Sequence, residues 1–340
     1  MKAFLFASIA AAGLCAHLCA QQAPQVENAR LESQAFSGTL AAEFAGFGAG
    51  PLWAAWQEPI IPGRNGDMCW IHNSDSTRHD DGRAINAPVR LEGPAAVVVL
   101  VRIANGQVDQ LRTASPDCRF DGGGLPFHWI TGVPADASIT WLKTQVSGKQ
   151  SDAAILAIGL QAGPAADRAL DELTDPSQPQ RVRERTAFWL GTTREAPGVE
   201  KLKQMLARET SEPVREQVIF ALSQSRAPAG IAAVLDAARS DKDPRVRSRA
   251  LFWAAQRAAN KQTEGAVNAA INAAITSDPD RSVKEQAVFA LKQLPEDQGI
   301  PMLINVAKTN PDPAVRKKAI FWLGQSKDPR ALDYLAQLLK

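Results

Sequence analysis

The chain has 340 residues, 45% of them hydrophobic and 22% charged, with a formal net charge of +2. That composition excludes wholesale disorder, collagen and a long coiled coil, and so small a charge does not by itself mark a nucleic-acid or membrane partner. Four His and four Cys leave little material for metal or nucleophile chemistry, and the length predicts more than one domain.

The first twenty residues read as a targeting segment. Lys2 precedes an apolar run from Ala3 to Leu18, followed by Gln21 and Gln22, which predicts a secretory signal cleaved after Ala20. The run is shorter than the ~20 residues that span a bilayer, and no later stretch approaches that length. Cys15 and Cys19 invite lipid attachment, but Leu14 and Leu18 stand where a lipobox has small residues, so a cleaved signal is preferred. The expected location is periplasmic or extracellular.

Export decides how the remaining cysteines, Cys69 and Cys118, are read. An even pair in an oxidising compartment is a disulfide, worth roughly 3–4 kcal/mol through chain entropy. The alternative is a zinc site from Cys69, His72 and His79, with His128 further along. The second Cys has no paired ligand nearby, which favours the disulfide. Asp75, Asp80 and Asp81 beside these His lack the ligand spacing of a calcium loop and read as a solvated loop.

Residues 21–148 predict a small α+β domain. Residues 21–50 read as a flexible entry with one short helix at most. Leu52–Ile61 and Ala95–Ala104 are strand-like, and Asn105-Gly106 then supplies a hairpin turn into Gln107–Thr113. After the break at Gly122-Gly123-Gly124, Pro126–Ile130 is a further strand and residues 134–146 a helix opened by Pro134. This half carries nine Lys and Arg against thirteen Asp and Glu, a net −4. Residues 149–340 carry 28 against 23, a net +5.

The second half repeats itself. VRERTAFWLG from Val182, VREQVIFALS from Val214, VRSRALFWAA from Val246, VKEQAVFALK from Val283 and VRKKAIFWLG from Val315 align without gaps, at spacings of 32, 32, 37 and 32 residues. A degenerate copy begins at Gln150, where Gly159 matches Gly191. Each copy is followed by a second amphipathic stretch, such as Val199–Arg208. Periods of this length mean stacked helix pairs, here about six. Asp243-Pro244, Asp312-Pro313 and Glu212-Pro213 each predict a cap followed by Pro at the first helical position, and Ser277-Asp278-Pro279 a weaker version.

The Asp-Pro-x-Val-Arg start, the Ala four residues after Val and the Leu-Gly ending resemble the HEAT-like repeats of bacteria, the type also found in phycobilisome lyases. The resemblance covers residues 150–340 and implies a right-handed superhelix with the Val-Arg helices on its concave side. With its signal and its Trp-containing disulfide domain, the whole chain resembles secreted HEAT-repeat proteins. The fold serves many unrelated binding roles and fixes no activity.

On a helix turning ~100° per residue, Arg316 falls inside the apolar face of its repeat. With Arg183, Arg215, Arg247 and Lys284 it forms a basic ladder whose expected role is structural, the stem buried and the head meeting an oxygen. Phe321 falls opposite that face, between Lys317 and Lys318, and Phe188, Phe220, Phe252 and Phe289 hold the same position. Five Phe at successive repeats predict a row with ~10 Å steps. Such a row binds a protein, stiffens the stack, or does both. Trp189, Trp253 and Trp322 fall on the core side and read as core packing.

The repeats hold no His and no Cys, which removes the His-Glu pairs by which HEAT-fold hydroxylases hold iron. No phosphate loop, nucleophile elbow or His-Glu-x-x-His helix occurs. The expected function is an exported scaffold or adaptor that binds a protein through the concave face, without catalysis, cofactor, nucleic acid or transmembrane segment. The alternatives are an envelope hydrolase or metal-dependent enzyme with its site in residues 69–128, and a lyase-like HEAT-repeat protein.

Overall fold

The computed structural model describes residues 23–62, 69, 95–257 and 261–339. The expected signal segment and His72, His79, Asp75, Asp80 and Asp81 lie outside the described residues.

The N-terminal half is built on a mixed sheet. Its elements are β1 (Gln25–Glu27), β2 (Leu31–Ala35), α1 (Leu40–Gly46), β3 (Leu52–Pro59), β4 (Ala96–Ala104), β5 (Gln107–Ala114), β6 (Arg119–Asp121), β7 (Phe127–Thr131) and α2 (Ala135–Gln145). The five-stranded sheet has the order β2-β7-β3-β4-β5, and β1 pairs with β6 in a separate parallel ribbon. β4 is apolar almost throughout because both of its faces are covered, which explains the run AVVVLVRIA. Asn105 and Gly106 both take positive φ, 53° and 69°, as the two-residue turn between antiparallel β4 and β5 requires.

The structure corrects the entry segment. Residues 25–46 are not a flexible entry: β2 pairs in parallel with β7 from Leu31↔Phe127 to Ala35↔Thr131, and α1 is capped by Thr39, whose hydroxyl accepts the Ala42 N–H. Their partners lie about a hundred residues away, so local composition carries no sign of the pairing. Cys69 and Cys118 form the expected disulfide, with Cα atoms 5.4 Å apart.

The C-terminal half stacks six antiparallel helix pairs among the described residues. They are α3 (Ser151–Leu160) with α4 (Pro164–Leu173), α5 (Gln180–Thr193) with α6 (Glu195–Arg208), α7 (Glu212–Gln224) with α8 (Pro228–Ser240), α9 (Pro244–Gln256) with α10 (Lys261–Ser277), α11 (Arg281–Gln293) with α12 (Glu296–Thr309), and α13 (Pro313–Gly324) with α14 (Pro329–Leu338). Successive first helices lie closer together than successive second helices, so the layer α3-α5-α7-α9-α11-α13 forms the inner side of the curve. No helix among the described residues is long and apolar enough to cross a membrane.

Caps follow the sequence signals with two exceptions. Asp243, Asp312 and Asp328 accept the N–H two residues on and precede Pro at the first turn. Ser211, not Glu212, is the N-cap of α7, and its side chain makes no capping bond. Asp280, not Asp278, caps α11, because the Asp278 carboxylate is taken by Arg247.

Sheet and solenoid share one seam. Beyond β3 the main chain meets the end of α3: Ile61 N–H donates to Leu160 O (3.0 Å) and Ala162 N–H to Pro59 O (2.8 Å). Gln150 caps the edge of β5, its Oε1 accepting Leu111 N–H (3.1 Å) and its Nε2 donating to Asp109 O (2.7 Å). One continuous apolar core runs from Trp56 and Val99 in the sheet to Tyr334 in the last pair.

Candidate functional site: the inner face of the solenoid

Three repeats bury their Arg at the same position: Arg183, Arg215 and Arg247 are each less than a tenth exposed, while Arg316 is half-buried. Arg183 Nε donates to Glu209 (2.8 Å), Arg215 holds Asp241 with two 2.6 Å bonds, and Arg247 holds Asp278 with two 2.8 Å bonds. Arg215 also donates to Glu209 O, Arg247 to Asp241 O and Arg316 to Asn310 O, so each guanidinium ties its own helix to the preceding inter-repeat loop. The acids close the circuit: Glu209 accepts the Ser211 N–H, Asp241 the Asp243 N–H and Asp278 the Asp280 N–H. Burial opposes the charge on Glu209, but the Ser211 N–H and Arg183 outweigh it and hold its pKa below the ordinary carboxylate value. The bond to Asp278 raises the Arg247 pKa. The groups of Arg183, Arg215 and Arg247 are buried and occupied, which is the structural role expected of the ladder. In the fifth repeat Lys284 and neutral Asn310 stand at the equivalent positions, and no ion pair forms there among the described residues.

The five Phe lie on the inner layer. Phe188, Phe220, Phe252 and Phe289 are half-buried and Phe321 is 52% exposed. Phe188 stacks on Phe220 (ring centroids 6.1 Å apart, interplanar angle 11°) and Phe252 on Phe289 (6.0 Å, 5°).

The three Trp differ from the sequence reading. They pack against the core but are only half-buried, and their rings join the Phe row. Phe220 meets Trp253 at 4.6 Å and Phe289 meets Trp322 at 4.9 Å, while Phe188, Phe252 and Phe321 each meet the Trp that follows them. Eight rings are therefore in continuous contact from Trp189 to Phe321. Trp253 and Trp322 lie beside the Phe of the preceding inner helix, and Trp189 beside Phe188 of its own.

The alternation of Trp and Ala gives the face a period of two repeats. Ala157, Ala221 and Ala290 on α3, α7 and α11 alternate with Trp189, Trp253 and Trp322 on α5, α9 and α13. The acids five residues before Ala157 and Ala221 face a cation four residues before the next Trp. Asp152 accepts the Trp189 indole N–H (3.1 Å) with Arg185 at 3.6 Å, and Glu216 pairs with Arg249 at 2.9 Å. In the last pair Lys318 lies 6.0 Å over the Trp322 ring instead. Where no Trp intervenes the helices approach closely: a Cβ on Gly191 would fall 2.2 Å from Ala221 O.

Elsewhere there is less to recruit. A cleft of about 380 Å³ opens between α6 and α8, on the opposite layer, and the Arg215–Asp241 pair lies in its lining. His128 stacks on Phe47 (4.1 Å, 11°) with Nδ1 3.7 Å from Glu32, and burial lowers its pKa. It is a packed histidine. The alternative zinc set loses one donor, since the Cys69 sulfur is bonded to Cys118, and its two His lie outside the described residues.

A curved stack of antiparallel helix pairs with an Arg–acid ladder defines an α-solenoid. Residues 166–253 and 268–340 match the family of HEAT repeats, so the chain carries HEAT repeats through residues 166–340. Solved structures to which parts of the chain are similar include Kap95p with RanGDP (19% identity, TM-score 0.38, covering 61% of this chain and 32% of that one). Another is human deoxyhypusine hydroxylase with glycerol (18% identity, TM-score 0.26, covering 61% and 78%). The chain thus spans about a third of the length of the first of these. Comparison with curated proteins gives no match.

Proposed function

We propose that the protein is an exported scaffold or adaptor, of the kind formed by secreted bacterial HEAT-repeat proteins, which binds a protein partner on the inner face of its solenoid. It acts by binding rather than turnover. The observation that supports this reading is the unbroken row of eight aromatic rings, each open to solvent in part, on the inner side of the curve. Aromatic rings in such rows supply the anchors of protein interfaces, and a few of them carry most of the affinity. The stacking also stiffens the solenoid, at about 0.5–1.5 kcal/mol for each ring pair. One set of side chains thus does both tasks.

The test is affinity capture from envelope extract with the wild type and the variant Phe220→Ser/Phe252→Ser/Phe289→Ser. Circular dichroism first establishes that the variant is folded. Loss of three anchors at ~1–2 kcal/mol each predicts at least ~100-fold weaker capture. An unchanged set of partners overturns the reading.

A further inference from the structure

The inner face carries a second row that the aromatic one leaves unexplained. Four residues after each Phe, at the end of the same helix, stand Gln224, Gln256, Gln293 and the C-cap residue Gln325, with Thr192 in the first copy. Counting ~100° per residue puts them ~40° from the Phe, on the same open side. Gln256 and Gln325 are exposed, Gln224 and Gln293 half-buried, and Gln256 Nε2 donates to Gln293 Oε1 at 2.9 Å. A carboxamide offers two donors and an acceptor, the complement of a main-chain amide. A bound α-helix has already spent its main-chain groups on itself and leaves such a row unused, whereas an extended chain keeps them free.

The spacing agrees with an extended chain. Inner helices at ~10 Å steps place one Gln per ~3 residues of a strand that rises ~3.3 Å per residue. The Trp positions recur every second repeat, ~20 Å, which is ~6 residues of the same strand. Charge sets the far end. Lys317 is exposed and has no ionic partner among the described residues, and Lys318 lies over Trp322, both flanking Phe321.

From this geometry, and resting on the scaffold reading above, we propose that the inner face holds an extended polypeptide segment. Bulky apolar side chains about six residues apart seat beside Trp189, Trp253 and Trp322. The main chain pairs with the Gln row, and an acidic group lies over α13. The partner is therefore recognised through an unfolded or strand-like stretch rather than through a folded surface or a helix.

The experiment selects random 16-residue peptides on the full chain. The expected result is an enriched set with bulky apolar residues six apart and an acidic residue toward one end. A labelled peptide from that set then titrates the wild type and Gln256→Ala/Gln293→Ala. The double variant weakens binding at least tenfold with its thermal midpoint nearly unchanged, because an exposed Gln and a half-buried one joined by a single surface hydrogen bond contribute little to folding. Absence of enrichment, apolar residues spaced three or four apart, or unaltered affinity of the double variant each overturns the extended-segment proposal. The scaffold reading then stands or falls separately on the triple Phe variant and its captured partners.

Discussion

Arg247→Ala is expected to lower the unfolding free energy by about 3–5 kcal/mol, the usual cost of stripping one partner from a buried ion pair. Both groups are below a tenth exposed, and Arg247 makes three bonds at 2.8 Å: two to Asp278 and one to the Asp241 carbonyl. The truncation strands the Asp278 carboxylate in the stack and unties two inter-repeat loops together. Lys in its place restores the charge but not the paired bonds, and recovers only part of the loss. Arg247→Met/Asp278→Leu removes both charges and should be markedly more stable than Arg247→Ala. Urea unfolding of the four proteins decides it. A double variant no more stable than the single one, or a single variant within 1 kcal/mol of wild type, would contradict the assignment.

Glu58→Gln is expected to stabilise the protein, increasingly so as pH rises. Glu58 sits on β3 at the seam, 2% exposed, with Oε1 lacking any hydrogen-bond partner. The Ser138 hydroxyl accepts from Trp56 Nε1 (2.9 Å) and Gln161 Nε2 (3.1 Å), which leaves its own proton for Glu58. Burial, only partly offset by that bond, pushes the carboxyl pKa from 4.5 up to about 8. The folded state therefore keeps a proton that the unfolded chain has released, and the wild type loses stability as pH climbs from about 4.5 to about 8. A shift of that size corresponds to on the order of 3–5 kcal/mol. Gln carries no charge at any pH, so the variant matches wild type near pH 4.5 and exceeds it by that amount above pH 8. Unfolding midpoints at pH 5, 6.5 and 8.5 provide the check, and parallel pH profiles for the two proteins would sink the idea.

Legibility in the sequence followed the range of the interaction. Strands bounded by local signals, such as β4 and β5 around Asn105-Gly106, and helices opened by Asp-Pro stand close to where the residues put them. The Arg ladder was readable because an Arg inside an apolar stripe must find an oxygen. Its partners were not, because Asp241 and Asp278 lie 26 and 31 residues away, at the ends of other helices. β2 escaped for the same reason, its one neighbour among the described strands being β7. The Phe row followed from helical angle alone. That the indoles belong to the same row required the positions of the neighbouring helices, although one signal was present: Trp and Ala alternate at the residue after Phe or its equivalent.

The seam between sheet and solenoid has a mechanical consequence. Two independent domains joined by a linker swivel, and whatever one holds is presented to the other at every angle. Here the strand that builds the sheet continues into main-chain bonds with the first helix pair, and Gln150 pins the opposite edge. A bending load on the far repeats is thus carried through the stack into the sheet instead of being dissipated at a joint. A partner seated along the curve, as proposed above, would acquire a fixed bearing relative to the disulfide-bonded half, held by a bracket rather than a tether.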